Sequence, residues 1–175
     1  MDNLTLRYLT LEDREEFFEA LNDSWEESFD FVHYWESLAN KDFKKYVQIA
    51  PEFAEGKHMP NEHVPATFLF AFNSSGKIVG RSSIRHRLDD FLLKVGGHIG
   101  YGVAPKHRRK GYATLILKES LKYIKANLPE LKKVLVTCNE GNIGSQKTIE
   151  KNNGVLENIV DNDEIRKMRY WIDLK

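Results

Sequence analysis

The chain has 175 residues, and its 26 Lys+Arg balance 26 Asp+Glu to a formal net charge of zero, which excludes a domain held on nucleic acid by bulk charge and an acidic tail protein alike. Hydrophobic residues make up 41% and aromatic residues 11%, enough for one core and too much for a disordered chain. The lone Cys138 excludes an intrachain disulfide, Met1-Asp2-Asn3 opens without the basic and apolar regions of a signal peptide, and no apolar run approaches the roughly 18 to 20 residues that cross a bilayer, so a cytoplasmic protein with no membrane or nucleic-acid partner is expected.

In chain order, Leu4 to Tyr8 alternates as a strand does, and Leu11 to Asn22 sets Leu11, Phe17, Phe18 and Leu21 among acids at helical spacing. Residues 12–36 hold ten acids against one base, Arg14, interleaved with Trp25, Phe29, Phe31, Tyr34 and Trp35. A second helix is predicted from about Asp42 to Phe53, then a loop from Gly56 to Pro65. Thr67–Phe72 and Lys77–Arg87 flank Asn73-Ser74-Ser75-Gly76, a hairpin pattern, and His98–Val103 reads as a short strand stopped by Pro105. From Gly111 onward Ala113, Ile116, Leu117, Leu121 and Ile124 recur on one helical face, with Lys118, Glu119, Lys122 and Lys125 opposite. Val134–Val136 reads as a buried strand and Ser145–Asn152 as a short helix. Val155–Val160 with Ile165–Leu174 form a closing hairpin turning at Asp161-Asn162-Asp163. Strands and helices alternate through the middle of the chain, which predicts a mixed α+β sheet with helices on its faces.

The chemistry concentrates where the 98–103 strand leads into the 111–124 helix. The first turn of a helix has backbone N–H groups without intrahelical partners and a partial positive charge, so it binds phosphate. Gly111 lets an anion approach the backbone with no Cβ in the way, Ala113 keeps the same face small, and Arg108, Arg109 and Lys110 add full charges. A solvated basic loop is the plain alternative for Lys106–Lys110; the strand before, the glycine inside and the amphipathic helix after favour a pyrophosphate site. Gly100-x-Gly102 has Pro105 where a dinucleotide fingerprint needs its third glycine, and no Gly-Lys-Ser/Thr completes a P-loop, which disfavours hydride transfer and nucleotide hydrolysis.

Arg108-x-x-Gly111-x-Ala113 resembles the Arg/Gln-x-x-Gly-x-Gly/Ala signature of the GNAT superfamily of N-acetyltransferases. Val103-x-Pro105 resembles the end of that family's splayed fourth strand, and Asn142-x-x-Ser145 followed by Ile149-Glu150-Lys151 and Gly154 is similar to its second cofactor motif. The resemblance covers residues 98–154. It implies a single acyltransferase domain over 1–175, with a three-layer fold and a central, mostly antiparallel sheet of about six or seven strands splayed between the fourth and fifth. Residues 1–65 would lie on the acceptor side and 66–175 would form the sheet core and acyl-CoA site. It further implies acetyl-CoA as co-substrate. Its pyrophosphate would lie on Arg108, Arg109, Lys110, Gly111, Tyr112, Ala113 and Thr114, its pantetheine arm near Asn142 and Ser145, and its thioester carbonyl on the N–H of Val103. For Asn142 and Ser145 a helix-cap role is the plain alternative.

The implied reaction is direct attack of a primary amine on the thioester; a catalytically silent acyl-CoA sensor is the competing reading. Many family members place a tyrosine acid seven residues after the motif asparagine, and some a glutamate on the fifth strand; here those positions are Ile149 and Thr137. Remaining catalytic candidates are His98, with an unperturbed pKa of roughly 6.5, Tyr101, and Ser145 as a donor to the leaving sulfur. A hydrogen-bonded strand histidine and a packing tyrosine are the structural alternatives, and Cys138 reads as a small hydrophobe. His58-x4-His63 has no partner ligands at a recognised spacing, so no metal is expected. Residues 81–133 carry thirteen Lys/Arg against four acids, the reverse of residues 12–36. Trp25, Glu26, Glu27, Asp30, Tyr34 and Trp35 would line a pocket for a protonated small-molecule or protein amine, or else form an ordinary acidic helix surface with aromatics in the core. Tyr170 and Trp171 suggest a possible homodimer.

Overall fold

Alternation along four strands near the N-terminal half builds the first sheet, because each strand turns successive side chains to opposite faces. In the computed structural model, described over residues 3–22, 35–60, 63–162 and 165–175, β1 (Thr5–Arg7), β2 (Ala66–Phe72), β3 (Ile78–Arg85) and β4 (Ile99–Val103) pair antiparallel in that order. A second sheet has the order β5-β7-β6, with β5 (Lys133–Asn139), β6 (Val155–Asn162) and β7 (Ile165–Asp173) again antiparallel. Helices α1 (Arg14–Leu21), α2 (Glu36–Lys41) and α3 (Phe43–Ile49) precede β2, α4 (Tyr112–Asn127) joins β4 to β5, and α5 (Ile143–Lys151) joins β5 to β6.

The two faces of the first sheet bury different cores. Ser82 Oγ meets Ser120 Oγ of α4 at 2.8 Å, and Ile84, Ile99 and Leu117 share a cluster with Ile149 of α5. On the other face Phe70 and Phe72 pack with Phe17, Phe43, Tyr46 and Phe53, the Phe17 and Phe70 rings meeting edge-on at 5.9 Å. Three layers result: α1–α3, the sheets, and α4–α5. This is the mixed α+β arrangement expected, with seven strands divided between two sheets.

The expected single helix over 42–53 is instead two helices and a 3₁₀ segment. Asp42, at φ −149°, interrupts the helical path, and its Oδ1 accepts the Lys45 N–H at 2.9 Å, so it closes α2 and caps α3. Pro51 has no N–H to continue α3, and the chain tightens into the 3₁₀ segment Ala50–Glu55 before Gly56 ends it at φ 77°. The final hairpin also differs: β6 runs on through Asn162, so Asp161 and Asn162 are strand residues, and residue 163 lies outside the described ones. Tyr170 is buried in the core rather than presented to a partner, and Trp171 is covered by Lys133, whose Nζ lies 4.3 Å from the ring centroid. Among the described residues no helix is long and apolar enough to cross a membrane.

Candidate active site

The two sheets meet at His98 and Leu135. The His98 backbone N–H donates to Leu135 O at 2.7 Å, and the Leu135 N–H donates to the His98 ring Nδ1 at 2.9 Å, so the imidazole takes the place of a strand carbonyl. Gly97 passes so close that a Cβ would sit 2.7 Å from Leu135 O, and its φ of 68° is left-handed, so glycine is needed here on both counts. Beyond this joint β4 and β5 belong to separate sheets, although α4 links them as a crossover links parallel strands, and Tyr101 and Cys138 both line the space between them.

Backbone directions on the two lips follow from their outer partners. Ala104 N–H donates to Val79 O, so even-numbered residues of β4 bond β3 and the peptide groups of Tyr101 and Val103 face the gap. Glu140 N–H donates to Arg166 O on β7, which turns Thr137 and Asn139 of β5 to the gap from the other side. The opening between these lips is a cleft of about 940 Å³. It exposes strand amides that no ladder uses, which suits a ligand that bonds as a strand would.

At the wide end the cleft meets the start of α4. Gly111 is the N-cap at φ 85° with no side-chain cap, and the first turn carries no acid. The backbone conformation fixes glycine here, since a Cβ would meet no protein atom within 4 Å. Arg109 is left-handed too, at φ 61°, and the Arg108 Nε donates to Val103 O at 3.3 Å. Arg108, Arg109, Gly111, Tyr112, Ala113 and Thr114 all line the cleft, whereas Lys110 points into solvent. The N–H groups of Tyr112, Ala113 and Thr114 belong to a first turn without intrahelical partners. Lys106 Nζ lies 3.6 Å from Glu19 Oε1, which ties this loop to α1.

Tyr101, Val103, Asn142 and Ser145 also line the cleft. The Tyr101 hydroxyl donates to Ser145 O at 3.4 Å, and burial pushes its pKa up to about 12, so at neutral pH it is a proton donor. Asn142 Oδ1 accepts the Ser145 N–H at 3.1 Å and caps α5. Cys138 lines the cleft as well, its thiol pushed up to about 11 by burial and therefore neutral.

Two expectations change. His98 is not in the cleft wall: it is 6% exposed, its Nδ1 lone pair is occupied by Leu135, and burial first, then the Arg85 charge, lowers its pKa to about 4. It is a joint, not a base. Trp35 is 6% exposed and stacks on Phe53 with centroids 4.0 Å apart, a core residue instead of a pocket wall. Trp25, Glu26, Glu27, Asp30 and Tyr34 lie outside the described residues. The Thr137 hydroxyl donates to Val95 O at 2.7 Å, and Ile149 is fully buried, so neither position offers an acid or base.

The structure also brings in residues that the sequence did not single out. Arg81, Ser83 and Arg85 of β3 and Asn139 and Lys167 on the second sheet line the cleft. Their signal was faint: isolated polar and charged residues within strands that also carry the sheet's apolar core. Among the described residues no group of three or more His, Cys, Asp or Glu could hold a metal ion.

Residues 3–155 match the family model described as an acetyltransferase (GNAT) domain, and the chain therefore belongs to the GNAT acetyltransferases, a family of acyltransferase enzymes. Solved structures of the same fold cover nearly the whole chain. A protein from Bordetella pertussis described as a GNAT-family acetyltransferase is 14% identical over 98% of this chain and 96% of that one, with a TM-score of 0.65. A spermidine N-acetyltransferase from Vibrio cholerae, solved with CoA and spermine, is 18% identical over 98% and 95%, with a TM-score of 0.60. The microcin C7 self-immunity acetyltransferase MccE, solved with acetyl-CoA and AMP, is 19% identical over 99% and 93%, with a TM-score of 0.64. At these identities the likeness is one of fold. No curated protein sequence matches the chain.

Proposed function

We propose that this chain, acting as one domain in the cytoplasm, moves the acetyl group of acetyl-CoA to a primary amine of a small molecule or protein by direct attack. The observation that carries the reading is the uncapped start of α4 at the wide end of the gap between β4 and β5. Arg108, Arg109 and the first-turn N–H groups would hold the pyrophosphate, and the gap-facing amides of Tyr101, Val103, Thr137 and Asn139 would pair with the uncharged pantetheine arm. Bound acetyl-CoA supplies an activated thioester carbonyl. The Val103 N–H is then placed to stabilise the charge that develops on the carbonyl oxygen. The amine nitrogen bonds to the carbonyl carbon, the carbon–sulfur bond breaks, the Tyr101 hydroxyl supplies the proton that the leaving thiolate takes up, and the proton that the nitrogen sheds on becoming an amide passes through water to restore Tyr101. An alkyl ammonium with a pKa around 10 must first lose a proton to water or to a base. Glu26, Glu27 and Asp30 would attract that ammonium, on the strength of their sequence alone. Positioning and the oxyanion contact supply most of the rate, so the missing tyrosine and glutamate do not silence the site. The silent-sensor alternative gains no supporting observation.

The test is release of free thiol from acetyl-CoA by the purified protein across a panel of primary amines. Amine-dependent release is expected, and Tyr101→Phe should lower kcat roughly a hundredfold. Tight acetyl-CoA binding with no release for any amine overturns the reading.

A further inference from the structure

We infer that Thr137 is a positioning residue: its hydroxyl straps a π-helical turn, Leu92–Gly96, across the narrow end of the cleft, and the strapped turn is the stop that limits the transferred acyl group to a short chain. The inference rests on the acyl-transfer reading above and adds to it the size of the group that is moved.

The turn is tied at both ends. Asp89 starts it, its Oδ1 accepting the Leu92 N–H at 2.7 Å and its backbone O the Leu93 N–H at 2.8 Å, and the Gly97 N–H closes it on Leu92 O at 2.6 Å. The carbonyls at the end of a helical segment have no partner within it, and here side chains from two different strands answer them. The Thr137 hydroxyl of β5 donates to Val95 O at 2.7 Å, while the Arg85 guanidinium of β3 donates to Gly96 O at 3.3 Å and to Gly97 O at 3.0 Å. Both straps come from the same side. Ile84 shares a cluster with Leu117 of α4 and Cys138 with Ile149 of α5, so alternation turns their neighbours Arg85 and Thr137 to the opposite, α1–α3 face. Because β3 and β5 belong to different sheets, the turn bridges the joint at His98 and Leu135. Leu92 and Val95 are buried, whereas Gly96 lines the cleft together with Ile99 and Thr137.

Place along the cleft gives the turn its role. Gly96 is two residues before His98, Ile99 one after it and Thr137 two after Leu135, so these three close the end that lies farthest from the start of α4. With the pyrophosphate at α4 and the thioester carbonyl on the Val103 N–H, the acyl carbons lie on the side of the carbonyl away from the cofactor arm, toward this closed end. From Tyr101 to His98 is three steps of strand, roughly 10 Å, and the acyl group and the attacking amine must share that length. A π-helical turn is rare and recurs at functional sites. Here it is held from two sheets at once, so a longer acyl chain meets a fixed backbone instead of a side chain that can swing aside. The threonine at 137, where some members of the family carry a glutamate, supports this wall and moves no proton.

Donors of increasing length test this: acetyl-, propionyl- and butyryl-CoA, each read as kcat/KM by thiol release with the most active amine of the panel. In the wild-type chain propionyl-CoA should fall about tenfold below acetyl-CoA, and butyryl-CoA further. Thr137→Val, which keeps the volume and removes the hydroxyl, should narrow the acetyl-to-butyryl ratio by about tenfold, and Thr137→Ser should hold it at the wild-type value. Thr137→Ala, which also lacks the hydroxyl, reads the same ratio should Thr137→Val fail to fold. Equal use of acetyl-CoA and butyryl-CoA by the wild-type chain overturns the inference without any variant. A hydroxyl-free variant that loses activity by the same factor with every donor overturns it too, since Thr137 would then serve the fold or the cofactor arm and not the stop. Absence of amine-dependent thiol release with every donor overturns instead the acyl-transfer reading beneath it.

Discussion

Two helices begin at the rim of the same cleft, and they begin differently. At α5 the Asn142 side chain accepts the Ser145 N–H, so the first turn is already satisfied from within the chain. At α4 the residue in the same position is Gly111, which has no side chain to offer, and the two left-handed residues Arg109 and Gly111 fold the preceding loop back so that the turn stays open. A helix start that lacks a protein cap keeps its amides and its partial positive charge for a ligand, whereas a capped one has them answered. The difference sets the turn proposed to bind an anion apart from a structural one without appeal to the surrounding charges.

The strongest way to break the comparison is Gly111→Val. The change forces a β-branched residue into a left-handed backbone and crowds the space where phosphate would lie. Loss of two or so charge-assisted bonds, about 3 kcal/mol, should weaken acetyl-CoA binding about a hundredfold by calorimetry. An unchanged Kd would leave the open turn without a ligand.

Acid should act next, through the joint that sets how far apart the strands feeding α4 and α5 stand. The His98 pKa falls from 6.5 unfolded to about 4 folded. A depressed folded value means the unfolded chain binds the extra proton first. The stabilisation is thus complete above pH 6.5 and is lost as pH falls toward 4, about 3 kcal/mol in all. Urea unfolding at pH 7.5 and 4.5 should show this loss, and His98→Asn, which does not titrate, should show less of it. Equal slopes for both proteins would dissociate the histidine from the joint. Asn142→Ala sharpens the comparison with the smallest effect: removal of the α5 cap should cost about 1 kcal/mol in thermal unfolding and weaken acetyl-CoA binding far less than Gly111→Val does.

How much of this was legible depended on whether the signal was local. The α4 helix and the turn before it were readable because amphipathic spacing and the Arg108-x-x-Gly111-x-Ala113 pattern fall within about twenty residues. Asp42 and Pro51 were present to be read as a cap and a breaker, but apolar spacing across 42–53 suggested one continuous helix. His98 misled for a physical reason: a ring nitrogen that replaces a strand carbonyl has no sequence signature, and an unperturbed histidine looks like a base. Trp35 misled likewise, because an aromatic among acids fits a pocket rim as well as a core. Arg81 and Lys167 are 86 positions apart in the sequence. They reach one cleft only through two separate strand registers, which no local pattern encodes.

Position 149 carries a consequence for engineering. The Ile149 side chain is sealed against Gly154, where even a methyl group would overlap its Cγ2, and the Gly154 N–H bonds back to Ile149 O at 3.0 Å. Grafting a phenol onto this helix is therefore no single-codon exercise: the turn behind it would have to be rebuilt first.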